Sequence, residues 1–243
     1  MSDWDAATYD RVSDAQFGWA LEQLKRLPLD GDEVVLDAGC GSGRVTTVLI
    51  ERVPRGRVYG VDASESMVAH AREALDGSAT ILCQDLVELD LPEPVDAVFS
   101  NATFHWIGDH EALFAALHRG MKPGARLVAQ CGGEGNIDAF RRAADSVAAE
   151  QPFAPYFEHW QQPWNYASAE QTAERLARAG FTDVKTWLEP KRVHPDRAFV
   201  VTVCLLPHLR ALPAPLHDDF VDHVVARENM LDYVRLNMTA VRA

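Results

Sequence analysis

The sequence predicts an α/β fold: a doubly wound, mostly parallel seven-stranded sheet with helical cap additions. Three observations predict it. Apolar runs rich in β-branched residues alternate with helix-period patterns between residues 33 and 131, as parallel strands joined by crossover helices require. A glycine-dense loop, within "VVLDAGCGSGRVT" at 34–46, separates the first such run from the first such helix. Finally, 243 residues with 47% hydrophobic content can bury one substantial core, and no repeat, low-complexity tract or linker divides them. The expectation is one domain over 1–243, with a helical lid at 1–30, a ligand-binding core at 31–131 and cap insertions at 132–167 and 195–229.

Residues 11–27 carry Phe17, Leu21 and Leu24 at helical spacing ahead of the sheet. Strands follow as "EVVLDA" at 33–38, "GRVYGVD" at 56–62, "ATILCQD" at 79–85, "VDAVFSN" at 95–101 and "ARLVAQC" at 125–131. Between them, "GRVTTVLIERV" opens on the glycine loop and "SESMVAHAREAL" takes Ser64 as its N-cap. "DHEALFAALHRG" runs from a capping Asp109 to a terminating Gly120, and "MKPG" turns the chain back through Pro123 and Gly124. The segment 132–167 is rich in aromatics and proline and fits no regular element; it reads as a substrate wall or as a packed insertion. Beyond it, "AEQTAERLARAGFTDVKTWLEP" is a helix closed by Gly180 and followed by a strand. A helical insertion then leads to "LDYVRLNMTAVR", which alternates like a last strand.

Composition excludes some partners. With 36 acidic against 23 basic side chains, a formal charge of −13 argues against nucleic acid or an anionic membrane surface. The start "MSDWDAATYD" has no apolar segment, and no run approaches the roughly 18 apolar residues of a span, so a cytoplasmic chain is expected. Cys40, Cys83, Cys131 and Cys204 form no C-x-x-C pair and read as reduced thiols. His217, Asp218, Asp219 and His223 sit in an amphipathic helical pattern and read as a solvated face, so no metal site is expected.

The loop itself has the form D-x-G-x-G-x-G, with glycines at 39, 41 and 43. Such turns let a backbone approach a ligand closely. A nicotinamide-dinucleotide fold wants its third glycine one position later, where this chain has Arg44. Asp62, ending the second strand, is placed to accept both hydroxyls of a ribose. Asp37, two residues before the first glycine, adds a carboxylate for a cationic amino group. Adenosine joined to an amino acid satisfies both.

With these residues in this order, the chain resembles the class I S-adenosylmethionine-dependent methyltransferases, whose first motif looks like "VLDAGCGSG" and whose ribose acid matches Asp62. The resemblance implies a Rossmann-like enzyme with S-adenosylmethionine as cofactor. It implies that Gly39, Cys40, Gly41 and Gly43 supply backbone around the methionine part, with Asp37 near its ammonium. It further implies Asp62 and Ala63 at the ribose, Met67 against the adenine, Asp85 on the adenine amino group with Leu86 beside it, and Asn101 closing the pocket.

Within that family, "WDAATY", the pair His105 and Trp106 after the fourth strand, and the closing "DYVRLN" are similar to the branch that esterifies carboxylates. That branch contains the trans-aconitate, malonyl-carrier-protein and juvenile hormone acid methyltransferases. The resemblance implies that Gln16 and Trp106 bind the carboxylate of a small organic acid. A carboxylic acid with a pKa of about 4.3 is ionised at neutral pH and attacks a sulfonium methyl without a general base. His105 is the one candidate base should the acceptor need one. An apolar surround from Phe104, Phe153, Trp160 and Trp164 would favour an acid with a hydrophobic body over polyacids. The alternatives are methyl transfer to an oxygen, nitrogen or carbon of a specialised metabolite, and a binding protein that keeps the pocket without catalysis.

Overall fold

The structure is a computed structural model, and it describes residues 14–243. The part of the expected lid before Asp14 lies outside the described residues. Helix α1 (Asp14–Leu24) leads into β1 (Val34–Ala38), α2 (Arg44–Arg52), β2 (Arg57–Asp62), α3 (Glu65–Leu75) and β3 (Thr80–Cys83). Then come β4 (Val95–Asn101), α4 (His110–Gly120), β5 (Met121–Gly132), α5 (Asp138–Ala148), α6 (Ala169–Arg178) and β6 (Phe181–Val193). Short helices α7 (Arg197–Phe199) and α8 (Leu206–Ala211), then α9 (His217–Arg227), precede β7 (Leu231–Arg242).

The seven strands lie in the order β3-β2-β1-β4-β5-β7-β6. Strands β3 to β5 are parallel, whereas β7 runs antiparallel to both β5 and β6. Consecutive strand residues face opposite sides, so the near-continuous apolar runs cover helices on both faces. Leu36 packs with Leu113 of α4 and Leu176 of α6, while its neighbour Val35 packs with Leu24 of α1 and Leu49 of α2. A separate core joins Phe140 of α5, Phe153, Leu209 of α8 and Phe220 of α9. The two cap segments therefore bury their apolar faces against each other.

Helix starts follow side-chain chemistry. Ser64 accepts from the Met67 amide at 3.2 Å, Asp109 from Ala112 at 2.9 Å and Ser168 from Gln171 at 3.2 Å. Gly180, at φ +100°, closes α6 in the left-handed region that favours glycine.

As expected, α4 is capped by Asp109 and has Gly120 as its last residue; the next residue, Met121, already pairs with Val95 of β4. Two expectations change. The "MKPG" turn is instead a bulge inside β5, pinned where Lys122 reaches Asp96 at 2.8 Å. Leu21 is 36% exposed, because the buried face of α1 runs through Gln16, Trp19, Ala20, Gln23 and Leu24. Glutamines occupy core-facing positions there because the sheet beneath is polar: the Gln23 amide donates to Asn237 Oδ1 of β7 at 2.7 Å.

Among the described residues, no helix is long and apolar enough to cross a membrane. All four cysteines are free thiols. Asp218 and Asp222 of α9 pair with Arg197, and His223 bonds the Asp219 carbonyl.

Candidate active site

The ligand edge of the sheet begins where β1 ends. Gly39, Gly41 and Gly43 all take positive φ, and the Gly39 and Cys40 amides donate to the Val61 carbonyl of β2 at 2.8 and 3.0 Å. Asp62 ties the loop down from the next strand. Its carboxylate accepts from the Gly41 amide and from the Ser64 amide, each at 2.9 Å. A Cβ on Gly39 would lie 2.1 Å from Thr103 Oγ1, whereas one on Gly41 would meet nothing within 4 Å. Gly39 is therefore required by packing, and Gly41 opens onto free space.

That space is a cleft of about 460 Å³ lined by Asp37, Gly39, Cys40, Gly41, Gln16 and Asn101, among others. Asp37 is buried, and its Oδ2 accepts from Thr46 Oγ1 at 2.7 Å. Burial, aided by the nearby Asp62 charge and opposed by the Thr46 bond, pushes its carboxyl up to about 7. Among the described residues, Gln16 Oε1 and Asn101 Oδ1 are buried acceptors without a partner. An ammonium group seated here would meet acceptors on several sides and would return Asp37 to its ionised form. The residues present thus fit the amino-acid end of an adenosylated amino acid.

A second cleft of about 640 Å³ lies next to it, and Gln16 lines both. Its walls include Trp19, His105, Trp106, Gln130, Trp164, Tyr166 and Arg235. His105 Nδ1 accepts from the Gly132 amide at 3.2 Å, so the neutral ring carries its proton on Nε2. Burial lowers its pKa to about 3, which keeps the imidazole neutral. Cys131 and Cys204 are pushed up to about 12 by burial, and burial raises Tyr166 too. Trp106 packs 5.9 Å from Trp164, which stacks on Tyr166 at 6.1 Å and 6°.

A family model described as a methyltransferase domain matches residues 35–124. The trans-aconitate 2-methyltransferase of Methylobacterium nodulans is 34% identical over 189 residues, covering 77% of this chain and 68% of that protein. The chain belongs to the S-adenosylmethionine-dependent methyltransferases. This methyltransferase is also 29% identical over 245 residues to a trans-aconitate 2-methyltransferase from an Acidovorax strain, covering 93% of this chain and 89% of that one. It shares its fold with phosphoethanolamine N-methyltransferase 2 of Haemonchus contortus in complex with S-adenosyl-L-methionine. The TM-score is 0.63 at 22% identity, over 98% of this chain and 56% of that one. The cofactor is S-adenosylmethionine.

In the methyltransferase, the sequence-predicted cofactor residues Asp37, Gly39, Cys40, Gly41 and Asn101 come together around the smaller cleft. Gly43 sits at the start of α2, packed under Leu75 of α3. Asp62 ends β2, and Ala63 follows it in the turn before α3. Met67, in the first turn of α3, is buried. Asp85 caps a 3-10 turn through the Val87 amide at 3.1 Å, and Leu86 is buried against the core beneath the sheet. Met67, Asp85 and Leu86 line neither cleft.

The acceptor side differs more. Gln16, His105 and Trp106 do line the larger cleft. His105 is ill suited to act as a base, since its Nδ1 is engaged and its pKa is far below neutrality. Of the expected apolar surround, only Trp164 is a wall residue. Phe104 is buried against Phe114, Phe153 against Phe220, and Trp160 packs at 4.4 Å on His208. Sequence reasoning missed Arg235 and Gln130, both buried wall residues. The signal for Arg235 was present: an arginine in the middle of the strand-like stretch "LDYVRLNM" demands a partner.

Proposed function

We propose that the methyltransferase transfers its methyl group to a carboxylate of a small organic acid. One observation carries this reading. Among the described residues, no carboxylate lines the larger cleft, and His105, Cys131, Cys204 and Tyr166 are all held neutral there at physiological pH. Such a site has little to offer an acceptor that must first lose a proton. It suits one that arrives ionised. The trans-aconitate named for its relatives is of that kind.

Bound S-adenosylmethionine supplies an electrophilic methyl on a sulfonium. The protein contributes alignment and the exclusion of water. Gln16 faces both clefts, and an amide offers an acceptor oxygen on one side and two donor hydrogens on the other. It can therefore hold the ammonium of the cofactor while its N–H fixes one carboxylate oxygen of the acceptor. The His105 Nε2–H and the Trp106 indole are further neutral donors at the cleft. Neutral donors orient a carboxylate without the full ion pair that would stabilise its ground state.

The test is a panel of small acids, phenols and amines, with trans-aconitate among the acids, incubated with cofactor labelled in its methyl group. Base-labile methyl esters from acids alone are expected. Transfer confined to phenols or amines overturns the carboxylate reading. Gln16→Ala should lower kcat/KM on the best acid by about tenfold or more, as loss of one oriented donor to a charged group does.

A further inference from the structure

Arg235 lies on β7, is 2% exposed and lines the acceptor cleft. A buried guanidinium is expensive unless its charge and its N–H groups are matched. Here they are matched in part. Nη2 donates to Glu189, and Nη1 lies 3.9 Å from Glu22, both of which are substantially exposed acids. Its carbon sits 5.0 Å from the centre of the Trp19 ring. Among the described residues, its Nε and Nη1 hydrogens have no acceptor.

A second orphan lies beside it. Gln130 Nε2, on β5, is buried in the same cleft without a partner. The β5–β7 register pairs Gly132 with Arg235 and Gln130 with Asn237, so the arginine and the glutamine rise from the same face of the sheet on adjoining rows. One charged and one neutral side chain thus face the same cleft with N–H groups that no acceptor among the described residues meets. Both lie in the cleft whose other walls include Gln16, His105 and Trp106.

We propose that Arg235, assisted by Gln130, binds a second carboxylate of the acceptor and so selects dicarboxylic or polycarboxylic acids over monocarboxylic ones. The inference rests on the carboxylate reading of the site. A division of labour follows: neutral donors hold the oxygen that is to be methylated, and the one cation holds a carboxylate that is not. A guanidinium on the reacting carboxylate would blunt its nucleophilicity. On a remote carboxylate the same charge adds binding energy and orients the acid.

The test is equilibrium binding to the complex with S-adenosylhomocysteine, measured by calorimetry with acids matched carbon for carbon. Each dicarboxylate is compared with the analogue in which one carboxylate is replaced by its amide. Wild type should bind the dicarboxylate at least about tenfold more tightly, and Arg235→Gln should bring the ratio near one. Arg235→Lys should keep part of the preference, because the charge remains while the fork is lost. Undiminished S-adenosylhomocysteine affinity reports that a variant is folded. Should Arg235→Gln fail to fold, the wild-type ratio and the lysine variant still decide. A wild-type ratio near one, or a ratio unchanged in a folded variant, overturns the assignment. Dicarboxylates that bind through Arg235 yet are never methylated overturn the carboxylate reaction and leave the anion site standing.

Discussion

Asp37→Asn is expected to stabilise the cofactor-free protein while weakening cofactor binding. Asp37 is buried, bonded to Thr46 and raised from 3.8 to about 7, with burial as the largest cause. Between those values the folded state binds more protons than the unfolded state, so stability falls as pH rises through this window. At about 1.4 kcal/mol per pKa unit, the full penalty at pH 8 is about 4 kcal/mol, an upper bound. The same linkage leaves a penalty of under 2 kcal/mol at pH 5. Asparagine has the shape of the protonated acid, can still accept from Thr46, and never ionises. The gain in unfolding free energy for Asp37→Asn over wild type, from urea titrations without cofactor, should therefore be larger at pH 8 than at pH 5 by about 3 kcal/mol. S-adenosylhomocysteine affinity at pH 8 should fall by about tenfold or more, as the ammonium loses a charged acceptor. An equal gain at both pH values, or a less stable variant at pH 8, would refute the reasoning.

The same carboxylate predicts proton release: below about pH 7, S-adenosylmethionine binding to wild type should free a proton, read as a buffer-dependent calorimetric enthalpy that is absent in Asp37→Asn. Because His105 is held near 3, kcat with an acid acceptor at saturating cofactor should show no limb near pH 6.5; such a limb, lost on replacing His105, would count against its neutral-donor role. Asp62→Ala should retain the fold but release the Gly41 and Ser64 amides, lowering S-adenosylhomocysteine affinity by about tenfold or more; unchanged calorimetric affinity would remove Asp62 from the site. Gly39→Ala should lower the melting temperature markedly, since the new methyl would overlap Thr103, while Gly41→Ala should mainly impair cofactor binding; the reverse order would refute these roles for the two glycines.

The glycine-loop cleft was legible because it is local. A strand, a glycine loop and a helix follow one another without a break from Val34 to Arg52, and Asp62 ends the adjacent strand. The larger cleft is lined from segments far apart in the chain: Gln16, His105, Gln130, Tyr166 and Arg235 are brought together only by the fold. Periodicity also misled at α1. The helical spacing of the leucines marks Leu21 as core-facing, yet Leu21 is exposed and Gln16 and Gln23 point inward, because that face covers polar groups of the sheet such as Asn237 of β7. Composition alone likewise predicted an apolar acceptor wall. Phe104 and Phe153 supply that hydrophobicity to cores behind the cleft.

The reversed direction of β7 has a consequence for how such enzymes diversify. In the parallel strands the ligand edge is reached at a strand's C-terminal end, after the strand has been laid down. In β7 it is reached at the beginning, so Leu231 to Arg235 enter the site directly from the cap helix α9. The cap also has its own core, distinct from those that hold the glycine loop. Because that core joins 132–167 to 195–235, only an exchange of both segments between relatives would carry over the cap, its packing and the cation together, leaving the glycine loop between β1 and α2 untouched.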